Sequence, residues 1–559
     1  MSKKIITIAL SVSTLRAMDR SPEEIVAKLT LREKIGQLFV IAAASNFNQP
    51  TEQLASAMTK SRYNIDPEYV ENLIKKHGVG GVLFLFKSDP IKQMALTEKF
   101  QAAASTRLLM MQDSEWGLSM RLDVDPAKVV RYPRNMTLGA IQDDQIIYDV
   151  GNEIGKQCVA IGIHMNLAPV ADINNNKANP VIHDRSFGDN PERVARLSKI
   201  FAHGLKSAGT LACAKHFPGH GDTTIDSHLD LPVISHDRLR LDTVELVPFH
   251  ELIQSGIDAI MHAHLAVPAL DDSGIASSLS HNIVTKLLRE ELGFKGLNIT
   301  DGLGMEAVAK DYAPGELERA AFLAGNDILL CPLDLPRAIE LIEAEIQAKR
   351  ISEEDLNHRV LKILRAKKWS YDQEQLCDKI NNIEAYLTRP EAYALQKKAY
   401  RAAITLVPQH DEIAFSIHTF NASSIVQIGK LPGNIFTQLC EQQKCKALNC
   451  SAALESEELE TCLHATEKSD VVVIAITEMN KFIAQNFGIA QNTQALVKQL
   501  HEMGKKVIVI LFGTPYSIEL FKDADAIIMA YEDAPAAQEA VVDVLRGALQ
   551  PTGILPVSV

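Results

Sequence analysis

Short, continuously apolar runs recur along the first three fifths of the chain, and most are followed by a segment with helical periodicity. Because these runs are apolar throughout rather than alternating, they predict strands that are buried on both faces of a parallel sheet. The eight runs lie at residues 37–42, 81–86, 107–112, 165–171, 210–216, 259–264, 296–300 and 327–331. Eight strand–helix units of this kind predict an α/β protein with a closed, TIM-like (β/α)8 barrel. An open doubly wound sheet is the alternative that the count leaves open.

The segments between the runs are amphipathic, and several runs end in a polar residue. Helical patterns lie at residues 67–76, 144–162, 190–208 and 280–291. The polar residues at the ends of the runs are Asp113, Asp172, Lys215 with His216, His264 and Asp301. The carboxyl ends of barrel strands converge on one mouth, so we expect these side chains to face a common pocket. Any one of them alone is equally explained as a loop cap.

The last part of the chain predicts a second, smaller α/β domain. Residues 333–368 have the pattern of a helix, and a polar stretch followed by a helix over 390–403 predicts a linker at 371–400. Beyond it, strand patterns lie at 425–428, 471–476, 507–512 and 526–530, with helices at 492–503 and 534–549. We therefore expect a barrel over 21–370 and an α/β sandwich over 401–559. The sandwich has no glycine-rich phosphate fingerprint, so no nucleotide is assigned to it.

Composition and charge narrow the function classes. The net charge of −13 argues against a nucleic-acid partner, because phosphate contacts require a basic surface. No apolar run has transmembrane length, so we expect no membrane span. The eight cysteines contain no CxxC pair, which argues against a structural zinc site. A disulfide within the cluster at 440–462 is an alternative to isolated buried thiols.

The N-terminus admits two interpretations. Lys3 and Lys4 precede an apolar stretch at 5–15 that has the length of a signal peptide, although it is rich in Ser and Thr. Ser21 followed by Pro22 predicts the first helix start, so residues 1–20 precede the domain. An export signal, and hence a periplasmic or cell-envelope location, is one interpretation. A cytoplasmic protein with a disordered tail or a first strand is the other.

The densest chemistry lies in the loop that follows the fifth apolar run. Within residues 215–228 there are three histidines, one lysine and two aspartates, interrupted by Gly and Pro residues that prevent a regular helix. Polar loops at strand ends are where barrel enzymes place catalytic groups. The simpler interpretation is a solvated loop with one or two hydrogen-bonded histidines, which explains a single histidine well but this density poorly.

Asp301 ends the seventh run and is followed by Gly302, which lets a ligand approach closely. A carboxylate there could be a nucleophile, a base, a metal ligand or merely a cap. Facing the histidine-rich loop, it predicts a nucleophile paired with a proton donor. A non-catalytic carbohydrate-binding protein and a metal hydrolase using His216, His220 and His228 are the other hypotheses. Histidine spacings of four and eight in a broken loop do not align ligands as a helix would, which disfavours the metal.

The same residues resemble a known family. The run KHFPGHGDTTIDSHLDLP at 215–232 and ITDGLGM at 299–305 resemble family 3 glycoside hydrolases, specifically their β-N-acetylglucosaminidase branch. Supporting matches are QDSEWG at 112–117, NLAPVAD at 166–172, RSFG at 185–188 and SLS at 278–280. The resemblance extends over residues 29–364 and continues more weakly through the second domain. Trp116 departs from it, because many bacterial members have glycine there.

The resemblance implies a role for individual residues. Asp301 would be the nucleophile that forms a covalent glycosyl-enzyme, and His228 the general acid and then the base, with Asp226 as its partner. The residues implied to bind the terminal sugar are Asp113, Arg121, Arg185, Lys215 and His216. No cofactor or metal is implied. A histidine donor is chemically reasonable because its pKa lies close to neutrality and a neighbouring carboxylate favours the imidazolium.

The resemblance further implies a retaining exo-β-N-acetylglucosaminidase that removes terminal β-linked GlcNAc, with peptidoglycan fragments as the expected source and chitin oligosaccharides as a competing one. A GlcNAc phosphorylase is an alternative, because an imidazole lacks the negative charge that would repel phosphate. Other β-hexosaminidase or β-glucosidase activities of the same family also remain open. The sequence fixes neither the aglycone nor the oligomeric state.

Overall fold

The computed structural model describes residues 20–44, 64–122, 128–227, 229–376, 382–408, 423–431, 434–442 and 445–559. The chain forms two compact units. The first is made of Met1–Tyr132, Tyr148–Ile173 and Ala195–Ala392, and the second of Pro133–Ile147, Asn174–Val194 and Tyr393–Val559. Residues 1–19, which contain the predicted export signal, lie outside the described residues, and so do His228 and Cys377.

The first unit contains the predicted barrel. Within the described residues its eight parallel strands are β1 (Phe39–Ala43), β2 (Gly81–Phe84), β3 (Leu109–Gln112), β4 (Met165–Asn166), β5 (Leu211–Phe217), β6 (Ala259–His262), β7 (Leu297–Thr300) and β8 (Leu329–Leu330). They are hydrogen-bonded in the order β7-β6-β5-β4-β3-β2-β1-β8. A parallel bridge between Ile299 and Ile328 joins the two ends of that order, so the barrel is closed. The predicted fold class is confirmed, and the open sheet is excluded.

Continuous burial explains why the strands could be predicted from the sequence. All seven residues of β5 are buried, as are all residues of the other barrel strands. Each strand has the barrel interior on one side and helices on the other, so neither face favours polar side chains. The polar residues that are tolerated inside, such as Lys215 at 2% exposure, therefore need partners of their own.

Helices surround the strands, and the first of them begins at the predicted cap. Their bounds are Pro22–Val26, Leu31–Gly36, Pro67–His77, Pro90–Ala103, Asp144–Ala160, Pro191–Ser207, Arg238–Thr243, Val247–Gln254, Asn282–Glu291, Glu306–Ala309, Glu316–Ala324, Leu335–Gln347, Glu353–Leu376 and Ile383–Leu387. The Ser21 hydroxyl and the Glu24 carboxylate form the predicted cap of the first helix. The segment predicted as an α-helix at 280–291 is instead a π-helix, in which Leu292 N–H donates to Leu287 O. No helix among the described residues is both long and apolar enough to span a bilayer.

The second unit is an α/β domain with a mostly parallel sheet. Its strands are β9 (Thr405–Pro408), β10 (Ser424–Ile428), β11 (Lys446–Cys450), β12 (Val471–Ile476), β13 (Lys506–Leu511) and β14 (Ala526–Met529). Their order in the described residues is β11-β10-β12-β13-β14-β9, and β9 is antiparallel to β14. The helices are Asn135–Gly139, Pro390–Ala403, Ile435–Gln442, Ser456–Thr466, Gln491–Glu502 and Pro535–Leu545. Ile425, Val473, Ile510 and Ile528 are almost completely buried in its core with Phe436.

The domain limits differ from those predicted at 371–400. Helix Glu353–Leu376 continues into the polar stretch, and the division between the units falls between Ala392 and Tyr393, inside helix Pro390–Ala403. The stretch resembled a linker because it is charged. Glu374, however, accepts hydrogen bonds from Arg107 at 2.9 Å and His164 at 3.1 Å, so its charge is compensated by residues distant in sequence. Segments Pro133–Ile147 and Asn174–Val194 also belong to the second unit, which the linear division missed.

The described cysteines are free thiols. Most are buried, and burial raises the pKa of Cys158 to about 12. Within the cluster for which a disulfide was an alternative, the Sγ atoms of Cys450 and Cys462 lie 3.3 Å apart without a bond.

Candidate active site

Asp113, Lys215 and Asp301 all stand at the carboxyl ends of barrel strands. Asp113 follows β3, Lys215 is the third residue from the end of β5, and Asp301 follows β7. Burial raises the pKa of the Cys331 thiol, and the negative charges of Asp301 and Asp113 raise it further. Because the barrel strands are parallel, their carboxyl ends lie at the same end of the barrel. The structure therefore brings these predicted site residues to one mouth.

A cluster of four charged side chains is built around Lys215. The Lys215 ammonium lies 2.8 Å from an oxygen of Asp113 and 2.8 Å from an oxygen of Glu115. Arg121 donates to the other oxygen of Asp113 at 2.6 Å. Burial alone would raise the pKa of Asp113, but Lys215 and Arg121 together hold that pKa well below its usual range. The carboxylate is thus ionised at neutral pH, and the two positive and two negative side chains compensate one another.

A second buried carboxylate orients His216. Asp172 is 1% exposed and accepts the Nδ1–H of His216 at 2.7 Å. It also accepts the backbone N–H groups of His216 at 3.2 Å and His220 at 2.7 Å. Burial works to raise the pKa of Asp172, but His216 outweighs it and the pKa is lowered. Because Nδ1 faces Asp172, the ring orientation of His216 is fixed before any ligand binds.

Asp301 is supported by the turn that follows it. Its backbone N–H donates to His262 O at 2.9 Å, and its Oδ1 accepts the N–H of Gly302 at 2.7 Å. The Gly302 carbonyl lies 3.1 Å from His264 Nε2, and His264 Nδ1 lies 2.7 Å from the Ser278 hydroxyl. Asp301 itself is only partly buried. A carboxylate held by a backbone N–H at an accessible barrel mouth is suited to attack an electrophilic carbon.

The loop after β5 makes a turn at the Asp-Ser-His triplet. The Asp226 carbonyl accepts the N–H groups of Leu229 at 2.9 Å and Asp230 at 3.1 Å, so the backbone turns back after Asp226. The sequence left extended and turn geometries open, and the structure has the turn. Asp226 is partly exposed. Its predicted partner His228 lies outside the described residues, so that pairing stays a prediction.

Arg185 is the predicted sugar-binding residue that does not belong to the barrel unit. It ends the 3-10 turn His183–Arg185 in the second unit, where its guanidinium donates to Val181 O at 3.4 Å. Its predicted role is untested by these contacts. No group of three or more His, Cys, Asp or Glu residues suited to hold a metal occurs in the described part of the chain.

Three residues of the site received no role from the family resemblance. Glu115 and Asp172 lie within stretches that resembled the family, and a strand-end aspartate was a signal for Asp172. Glu115 is 1% exposed and buried beside a lysine one hundred positions away, which no local pattern reveals. His220 was considered only as a metal ligand, whereas its ring bonds two hydroxyl groups of its own loop.

Comparison with known proteins identifies relatives across both units. Residues 30–366 match the model of the glycosyl hydrolase family 3 N-terminal domain. Beta-hexosaminidase A of Pseudoalteromonas piscicida is 28% identical, covering 95% of this chain and 97% of that protein. A beta-hexosaminidase of Nitrosospira multiformis is 33% identical over 48% of this chain and 77% of its own. Among solved structures, a family 3 β-N-acetylglucosaminidase from Paenibacillus sp. str. FPU-7 has 30% identity and a TM-score of 0.76, covering 95% of this chain and 99% of that one.

Proposed function

This chain belongs to glycosyl hydrolase family 3 and is a glycoside hydrolase, and we propose that it removes terminal β-linked GlcNAc with retention of configuration. The observation that carries the proposal is the mouth of the barrel, where Asp301 stands at the same end as the Asp113–Lys215–Arg121–Glu115 cluster. The names of its relatives, β-hexosaminidases and a β-N-acetylglucosaminidase, support the choice of sugar.

In the first step Asp301 attacks the anomeric carbon from the face opposite the leaving group. The bond from that carbon to the aglycone oxygen breaks, and the oxygen takes a proton from His228. In the second step His228 removes a proton from water, which attacks the glycosyl ester and releases GlcNAc with its original configuration. Asp226 supports both steps, because a neighbouring carboxylate favours the imidazolium and orients its ring.

The charged cluster would bind the sugar that is cleaved. Asp113 is an ionised acceptor at 14% side-chain exposure, and Arg121, at 23%, is a donor beside it. Charged groups make the strongest hydrogen bonds to sugar hydroxyls. His216, fixed by Asp172, presents a second polar edge.

The anomeric configuration of a glycosyl azide product distinguishes the role of the nucleophile from the role of the acid/base residue. With a dinitrophenyl β-GlcNAc substrate, Asp301→Ala should lose nearly all hydrolysis, and added azide should yield the α-glycosyl azide, because azide takes the place of the carboxylate. His228→Ala should instead yield the β-azide, because azide then attacks the glycosyl-enzyme from the acid's side. Asp272→Ala, an exposed carboxylate after β6, is the matched control and should behave as the unmodified protein. Full activity of Asp301→Ala would contradict the proposal.

We further propose peptidoglycan fragments as the natural source of the sugar and the cell envelope as the location. Digestion of purified muropeptides with mass analysis of the products tests the first, and fractionation of cells producing the full chain tests the second. The same digestion in phosphate and in phosphate-free buffer distinguishes hydrolysis from phosphorolysis, because the latter gives GlcNAc 1-phosphate. Release of free GlcNAc in equal yield under both conditions supports hydrolysis.

A further inference from the structure

His220 is a buried histidine in the loop that carries the predicted acid. It is 1% exposed, and both of its ring nitrogens have hydroxyl partners: Nδ1 lies 3.0 Å from Thr223 Oγ1 and Nε2 lies 3.0 Å from Ser227 Oγ. Thr223 Oγ1 donates its own hydrogen to the His220 carbonyl at 3.2 Å, so it accepts from Nδ1–H. In the neutral ring Nε2 is then the acceptor of the Ser227 hydroxyl.

The backbone of His220 is fixed to the barrel. Its N–H donates to Asp172 at 2.7 Å, the same carboxylate that holds His216. The next residue, Gly221, lies so close to the segment after β4 that a Cβ there would be 1.6 Å from the Ile173 carbonyl oxygen. The start of the loop is therefore a rigid continuation of the strand ends.

Ser227 is the middle residue of the Asp-Ser-His triplet and is 2% exposed. Its neighbours in the loop are far more open, since Ile225 is 43% and Leu229 72% exposed. Packing alone therefore holds the tip of the loop weakly, and the buried Ser227 side chain is a point at which the triplet is attached to the protein interior. That attachment is made to the ring of His220.

We propose that His220 is a positioning residue for the acid/base catalyst. Through its hydrogen bond to Ser227 it transmits the rigidity of the Asp172-anchored loop base to Asp226 and His228, which flank Ser227. The inference rests on the proposed roles of Asp226 and His228. His220 would not touch the substrate, and it would contribute by keeping the proton donor within reach of the leaving oxygen, where small displacements reduce the rate strongly.

Loss of the tether should reduce the steps that need proton transfer. His220→Ala should lower kcat for an alkyl β-GlcNAc substrate, a poor leaving group, by at least about tenfold, because positioned acid catalysis contributes about 10²–10⁴-fold. Glycosylation by the dinitrophenyl substrate, followed as the pre-steady-state burst of dinitrophenol, needs no proton and should change less than about threefold. KM for both substrates should change little, since the sugar subsite is built on other residues.

The hydrogen bond itself is tested by combining variants. Because Ser227→Ala removes the same bond, the double variant His220→Ala/Ser227→Ala should be no slower than the slower single variant. His220→Gln, which retains a side-chain amide, should recover part of the loss. His250→Ala on the exposed face of helix Val247–Gln254 is the control histidine. If His220→Ala lowers the melting temperature, Ser227→Ala alone carries the comparison between the two substrates, because it removes a single hydroxyl.

Equal losses on the two substrates, or losses that multiply in the double variant, would overturn the positioning role. These outcomes differ from failure of the proposed function. In that case the unmodified protein would release neither dinitrophenol nor GlcNAc, whatever residue stands at position 220.

Discussion

Lys215 is the residue whose removal should disturb the barrel mouth most. Its ammonium lies 2.8 Å from Asp113 and 2.8 Å from Glu115, with 2% of its side chain exposed and none of the Glu115 side chain exposed. Replacing it with methionine keeps most of the length of the side chain but removes the ammonium that faces the buried Glu115 carboxylate. Asp113 retains Arg121 at 2.6 Å, so the cost arises chiefly at Glu115.

The expected loss of stability depends on two opposing contributions, the attraction between the charges and the cost of removing them from water. At an effective dielectric constant of about 20, two unit charges about 3 Å apart attract by roughly 5–6 kcal/mol, and the desolvation of each buried ion offsets several kcal/mol of that. Breaking a buried pair by removing one partner costs about 3–5 kcal/mol, and we expect Lys215→Met to lower the free energy of unfolding by that amount. The double variant Lys215→Met/Glu115→Gln also removes the carboxylate charge that faced Lys215 and should regain about 2 kcal/mol.

Tryptophan fluorescence during denaturant unfolding is a specific assay for this loss. Both tryptophans, Trp116 and Trp369, belong to the barrel unit, so the signal follows that unit. Lys206→Met is a matched control, because Lys206 makes a 2.7 Å ion pair with Asp258 but is 44% exposed. It should cost less than about 1 kcal/mol.

The pH dependence gives a second test of the same cluster. The pKa of Asp113 is lowered in the folded protein, so its ion pairs stabilise the fold above its unfolded pKa of about 4, and that contribution is lost as the pH falls further. The difference between the unmodified protein and Lys215→Met should therefore stay constant from pH 7 to about pH 4 and shrink only as the pH falls below about 4. A loss as small as that of the control, or one independent of pH, would refute the view that Lys215 is held by buried charges.

Two further variants test other buried contacts of the barrel unit, at Gly221 and at Lys367. Gly221→Ala should lower the free energy of unfolding of the barrel unit by about 1–3 kcal/mol and reduce turnover, because the new Cβ would stand 1.6 Å from Ile173 O. An unchanged melting temperature and an unchanged kcat would contradict the close contact. Burial lowers the pKa of Lys367 to about 7 in the folded protein. Above that pH the unfolded chain binds more protons than the folded protein, so the free energy of unfolding should rise from about pH 7 to pH 10. Lys367→Met should flatten this rise in fluorescence-monitored unfolding, and an equally steep rise in the variant would show that another group titrates.

The barrel strands could be predicted because a strand buried on both faces is apolar throughout. Strand β11 (Lys446–Cys450) was missed for the opposite reason, since it lies at the edge of its sheet and its residues are not continuously apolar. Strand β9 is short, partly exposed and antiparallel, so its sequence does not have the continuous apolar pattern of a parallel strand that is buried on both faces. Burial on two faces, rather than strand structure itself, is what the sequence pattern reports.

The site was predicted to a different depth for different residues. Asp113, Lys215 and Asp301 could be expected at one mouth because the ends of barrel strands converge there. The pairing of Glu115 with Lys215 and of Asp172 with His216 could not, since the partners are 100 and 44 positions apart and neither spacing follows a local period. Such contacts depend on the register between strands, which only the folded chain determines.

The structure separates the site into a fixed part and a part attached by a few bonds, and the chemistry explains why. Lys215, Asp113 and Glu115 lie on or shortly after strands and compensate one another's charges, so in the proposed function a sugar would meet groups that are already oriented and need little reorganisation. Asp226 lies in a turn beside exposed residues and is joined to the interior through Ser227 and His220. In the proposed reaction the terminal sugar stays bound through both steps, whereas the aglycone has to leave before water enters. A rigid sugar subsite, with the proposed proton donor held in place by a tether on a separate loop, would satisfy both requirements.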